Sequence, residues 1–193
     1  MSSVLSRRFG TSQRLELTNG DWIRNGMGAK AVNLNASYGG LVPSVNWEDR
    51  SAAVALIRNP QVKAMACLLV WGSDAAWDRT ECFNAVVNHL SKLMLERCKR
   101  DGRKAPSNHS IEEMARLMAR MTLHFELYQL WTVYTVEGQL FFSGIDMLAG
   151  MFNQSWSGYK NKMLDDLQDL TALVDAEISG YRFNLNRDCE VGR

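Results

Sequence analysis

Between Leu148 and Met163 the chain sets polar side chains at intervals that suit reading a DNA groove. Gln154 falls in a short polar turn, and Trp156, Ser157, Lys160 and Asn161 follow at the start of a helix. Asparagine pairs bidentately with adenine, and lysine reaches guanine or a phosphate. The N-terminal part of such a helix enters the major groove, while flanking groups hold the backbone. A second cluster, Arg97, Lys99, Arg100, Arg103 and Lys104 against Asp101, has the composition of a phosphate grip. Arg116 and Arg120, one helical turn apart, could extend it, although Glu112 and Glu113 partly neutralise them and surface pairing is the alternative. The same cations also suit the solvated end of a helix, because a helix C-terminus favours positive charge.

Two helices crossing around a miniature core would position the first cluster. Leu148, Ala149 and Phe152 supply one face of the first helix, and Ile145 continues it upstream. Ala149 and Gly150 leave room for the crossing. Ser155 offers a hydroxyl to cap the second helix. Tyr159 and Met163 turn that helix inward, so Ser157, Lys160 and Asn161 are expected to face outward. The unit spans about 144–165. A plain helical hairpin has the same spacing. Asp165, Asp166 and Asp169 follow at once and would repel phosphates if they faced DNA, which confines DNA to the stretch from Trp156 to Asn161.

The rest of the chain predicts a mostly α fold: a helical domain with a C-terminal helix-turn-helix and a loop-rich N-terminal segment. Residues 1–45 read as a tail and a Gly-rich segment, 46–180 as the helical domain, and 181–193 as a polar tail. Any β structure belongs in the first part. Ala53, Leu56 and Ile57 keep helical spacing up to Asn59-Pro60. A strongly apolar helix runs from Val62 to Trp71, and Ser73 or Asp74 can cap the next, which carries Trp77, Phe83, Val86, Val87, Leu90 and Met94. Ser110 and Glu113 form a capping box ahead of a core stripe of Met114, Met118 and Met121. Leu127, Leu130, Trp131 and Tyr134 predict that this helix continues, buried, until Glu137-Gly138. An acidic helix from Met163 to Ser179 is closed by Gly180.

Composition narrows the function. The chain has 193 residues, 46% of them hydrophobic, and a formal charge of +1, so any nucleic-acid contact must be a local patch. The sequence has no P-loop, GxGxxG, GxSxG or HExxH, and no enzymatic activity or cofactor is expected. Cys67, Cys82, Cys98 and Cys189 form no CxxC pair, and His89, His109 and His124 complete no zinc spacing. Free thiols in a reducing cytoplasm follow. No apolar run approaches the roughly 20 residues of a membrane span.

The order Leu148-Ala149, Phe152, Ser155, Tyr159, Met163 resembles the sigma-region-4-like helix-turn-helix that closes many phage late-gene antiterminators of the Q type. The segment Glu126 to Gly138, with Tyr134 and Gly138, is similar to the helix those proteins end in a Tyr-x-x-x-Gly turn. Gly20-Asp21-Trp22-Ile23-Arg24-Asn25-Gly26-Met27-Gly28 resembles their Trp-x-Arg-x-Gly-x-Gly opening. The resemblance implies a transcription regulator in the bacterial host cytoplasm. It would bind double-stranded DNA near a late promoter and modify paused RNA polymerase so that it ignores terminators. Homo-oligomerisation stays open. The rival reading is an all-α phage module that binds a host protein, as inhibitor or adaptor, without DNA. Its surface would be residues 20–47 with Trp22 and Trp47, or the acidic helix 163–179.

Overall fold

The computed structural model describes residues 18–20, 22–23, 47–71, 80–106 and 108–191. It is mostly helical, with seven α-helices and no strand among the described residues. In order these are α1 (Trp47–Ala55), α2 (Pro60–Trp71), α3 (Thr80–Arg100), α4 (Ile111–Leu127), α5 (Val136–Ser143), α6 (Ala149–Ser155) and α7 (Ser157–Val191). A single 3₁₀ turn, Leu130–Thr132, separates α4 from α5. The segment 24–46, the Ser73 or Asp74 cap and Trp77 lie outside the described residues.

Local chemistry starts the central helices where the sequence suggests. Asn59 Oδ1 accepts the free N–H groups of Gln61 (2.9 Å) and Val62 (3.2 Å), and Pro60 occupies the first position of α2, where its missing N–H is harmless. Ser110 Oγ accepts from Glu113 N at 3.1 Å and caps α4. α2 and α3 pack against each other, and α3 packs on α4. α7 closes the bundle, touching α1, α2, α3, α4 and α6. Met114, Met118 and Met121 lie in the core, as their stripe predicts. Met163, Leu167, Leu170, Val174 and Ile178 form the buried stripe of α7. Each such side chain contributes roughly 1.5–3 kcal/mol by leaving water.

Three elements differ from the sequence reading. α4 does not continue through 128–136. Gln129 adopts a left-handed backbone (φ 55°), and Trp131 folds back so that its indole N–H donates to the buried Glu126 carboxylate at 2.6 Å. Thr135 then caps α5 by accepting from Gly138 N at 3.2 Å, so Glu137-Gly138 opens a helix instead of ending one. Tyr134 packs onto Gly138, where an added Cβ would meet the ring at 3.3 Å.

Second, the expected polar turn is absent from 153–155. Asn153, Gln154 and Ser155 complete α6, and Trp156 alone separates α6 from α7. Its carbonyl accepts from Tyr159 N and Lys160 N at 3.0 and 3.1 Å, so Trp156, not Ser155, opens α7.

Third, α7 passes through Gly180 to Val191. A helical glycine costs only about 1 kcal/mol relative to alanine. The far end of α7 offsets this by holding Asn19 and Trp22. Asn19 Nδ2 donates to Asp175 Oδ1 (2.6 Å) and Ser179 Oγ (2.7 Å), and Arg182 Nη1 donates to Asn19 Oδ1 (2.6 Å). Trp22, read from sequence as a partner surface, is engaged internally by the guanidinium groups of Arg50 and Arg182, 5.1 and 5.3 Å from its ring centre.

Candidate nucleic-acid interface

The two polar clusters meet across one cleft. The last turn of α3 brings Arg97 and Arg100, and the α6–α7 junction brings Gln154, Ser155, Gly158, Tyr159 and Lys162. The space between them is about 350 Å³.

Gly102 makes this approach possible. It sits in the left-handed region (φ 60°), and Arg103 N donates to Cys98 O at 2.9 Å, which terminates α3 in a tight reversal. The reversal carries Arg103 over the Trp156 ring, 4.8 Å from its centre. Asp101 accepts the Tyr159 hydroxyl at 2.9 Å. Burial and this hydrogen bond push the Tyr159 phenol up to about 12, so it remains a donor at any ordinary pH. Below it, Arg97 grips Asp166 of α7 through two parallel bonds of 2.5 and 2.6 Å. The hydrogen bonds that Arg97 donates to Asp166 hold its guanidinium above its ordinary pKa. Planar two-point pairing of this kind is strong and orients both partners.

These bonds sort the sequence-predicted contact residues. Gln154 and Asn161 are exposed, and so are Lys99, Arg100 and Lys104. The other candidates face elsewhere. Trp156 is only 3% exposed and cannot reach a base edge, because it fills the corner between α6, α7 and Arg103. Lys160, expected outward, lies half-buried over the Trp131 ring at 5.0 Å, and burial lowers its pKa. Ser157 is half-buried and donates its hydroxyl to Asn153 O at 2.5 Å. Arg97 is engaged by Asp166, and Arg103 by Trp156.

Sequence reasoning missed Lys162, which is exposed and lines the cleft. It follows Gly158 by one turn, on the face opposite the Met163 stripe, and that spacing was the available signal. Asp166, which would repel phosphate if it faced DNA, instead neutralises Arg97 inside the protein.

Among the described residues no group of His, Cys, Asp and Glu side chains could hold a metal ion, and no helix is long and apolar enough to cross a membrane. Cys67, Cys82 and Cys98 are free thiols. No family model, no curated protein and no solved structure matches the chain.

Proposed function

We propose that the face around this cleft binds double-stranded DNA, and that the protein is a transcription regulator acting on bacterial RNA polymerase in the manner of phage antiterminators. The observation that carries the reading is the convergence of Arg100, at the end of α3, with Gln154 and Lys162 at the α6–α7 junction, more than fifty residues away in sequence. The contact set differs from the one the sequence suggested. Lys99, Arg100, Lys104 and Lys162 supply charge for phosphates, and Gln154 and Asn161 supply amide groups suited to base edges. Trp156, Arg97, Arg103 and Lys160 shape the surface from below. The extension to RNA polymerase rests on the resemblance of the 126–138 and 148–163 segments to antiterminators.

The test is duplex binding by the full chain, using a pool of random-sequence duplexes enriched by selection and then titrated against salt. A selected duplex should bind with a log–log salt slope of about −0.9 per phosphate held. The double variant Arg100→Glu, Lys162→Glu should bind at least about tenfold more weakly and flatten the slope by about 2. Lys160→Gln should leave affinity unchanged. The reading fails if no duplex is enriched, or if the double variant keeps wild-type affinity and slope.

A further inference from the structure

A second concavity, of about 430 Å³, lies between α3, α4 and α5. Its chemistry is the reverse of the cleft's. Phe83, Met121, His124 and Phe142 line it, and Phe141 and Arg120 stand at its edge. The His124 imidazole stacks on the Phe142 ring at 5.2 Å and 29°. Burial and the neighbouring Arg120 lower the His124 pKa, so the ring is neutral at pH 7 and the floor is apolar.

Phe141 is 90% exposed, and Phe142 is half in water. The fold does not use Phe141: α5 turns Gln139 and Leu140 into the core, and the next position must point away. The rim is cationic. Arg120 lines the groove, Arg116 lies one turn earlier on the exposed face of α4, and among the described residues no carboxylate lines the concavity.

We propose that this groove receives a segment of another protein in which an aromatic or aliphatic side chain is flanked by carboxylates. The apolar floor takes the side chain, and Arg120 and Arg116 take the charges. A second copy of this chain fits poorly. A two-fold contact sets each patch against itself, which would bring the arginines of both copies together. A nucleic-acid backbone would leave Phe141 and Phe142 unused. The proposal does not depend on DNA binding at the cleft.

Fluorescence anisotropy on the full chain tests it. The probe is a fluorescein-labelled acidic peptide with Phe and Leu anchors. One control replaces the anchors by Ser, and another replaces the acids by their amides. The parent peptide should bind at least about tenfold more tightly than either control. Phe141→Ala and Arg120→Glu should each weaken it about fivefold or more while keeping the wild-type melting temperature, as expected of exposed positions. Absence of binding overturns the proposal. So does equal binding of the three peptides, or indifference to both substitutions. If sedimentation instead shows a dimer that Phe141→Ala dissociates, the groove is a self-association surface and the proposal is wrong.

Discussion

The cleft between α3 and α7 and the groove between α4 and α5 are of similar size, but they treat their side chains oppositely. In the cleft the polar groups are bound to one another first. Arg97 holds Asp166, Tyr159 holds Asp101, and Arg103 covers Trp156. The outer residues Arg100, Lys162 and Gln154 stay exposed, and the carboxylate contacts of Arg100 (Asp101, 3.5 Å) and Lys162 (Asp165, 4.0 Å) are long and open to water. In the groove Phe141 stands almost wholly in water, and Phe142 packs one side on His124, Phe125 and Tyr134 while half of it stays exposed. A surface stiffened by internal ion pairs suits orientation and specificity, because little is left to order on binding. A surface of exposed rings suits affinity through burial of apolar area. The difference teaches where to expect stability effects and where binding effects.

The largest contrast is aromatic truncation. Trp156→Ala should destabilise the fold by about 3–5 kcal/mol in urea denaturation, whereas Phe141→Ala should change it by less than about 0.5 kcal/mol. If the two gave equal losses, the comparison would collapse. Next is the ion pair. Asp166→Ala leaves a half-buried guanidinium unpaired, and a double-mutant cycle with Arg97→Ala should return about 1.5–3 kcal/mol of coupling. Coupling near zero would mean that the pair is an exposed contact and that the cleft is not pre-stiffened.

The smallest effect is at Tyr159. A phenol raised from 10.0 to about 12 by folding favours the neutral form in the native state. Its contribution is fully present below pH 10 and is lost as the pH rises through 12. Tyr159→Phe should abolish that alkaline segment of the stability profile and cost about 0.5–1.5 kcal/mol at neutral pH through the lost bond to Asp101. An absorbance titration showing every tyrosine ionising near pH 10 would contradict it.

The legible parts of this molecule are those governed by neighbours in sequence. The Ser110 cap, the Asn59-Pro60 start and the methionine stripe all follow from residues within a turn or two of each other. The end of α4 was hidden because Leu127, Leu130, Trp131 and Tyr134 mimic helical spacing while the backbone of Gln129 reverses. The signal was the threonine cap at 135, with Glu137 in the turn after it. At the site, Asn161 and Arg100 are exposed, and so is Gln154, although it belongs to the last turn of a helix and not to the expected polar turn. The fates of Trp156, Lys160 and Arg97 were not readable. Each depends on a partner brought from elsewhere, with Asp166 lying 69 residues from Arg97. Local periodicity assigns a residue to a face but does not say what the opposite element presents to that face.

The long reach of α7 also has a consequence for the order in which the chain can be assembled during synthesis. Asn19 is hydrogen-bonded to Asp175, a residue made 156 positions later, and Trp22 stacks on Arg182, later still. Asn19 therefore lacks these α7 partners until almost the whole domain has been translated, although Arg50 of α1 meets Trp22 much earlier. The α2–α3–α4 packing can form while the ribosome is still at work, since those helices are consecutive. The nascent protein thus exposes the α2 face that α7 later covers, and the arrival of α7 both completes the core and secures Asn19.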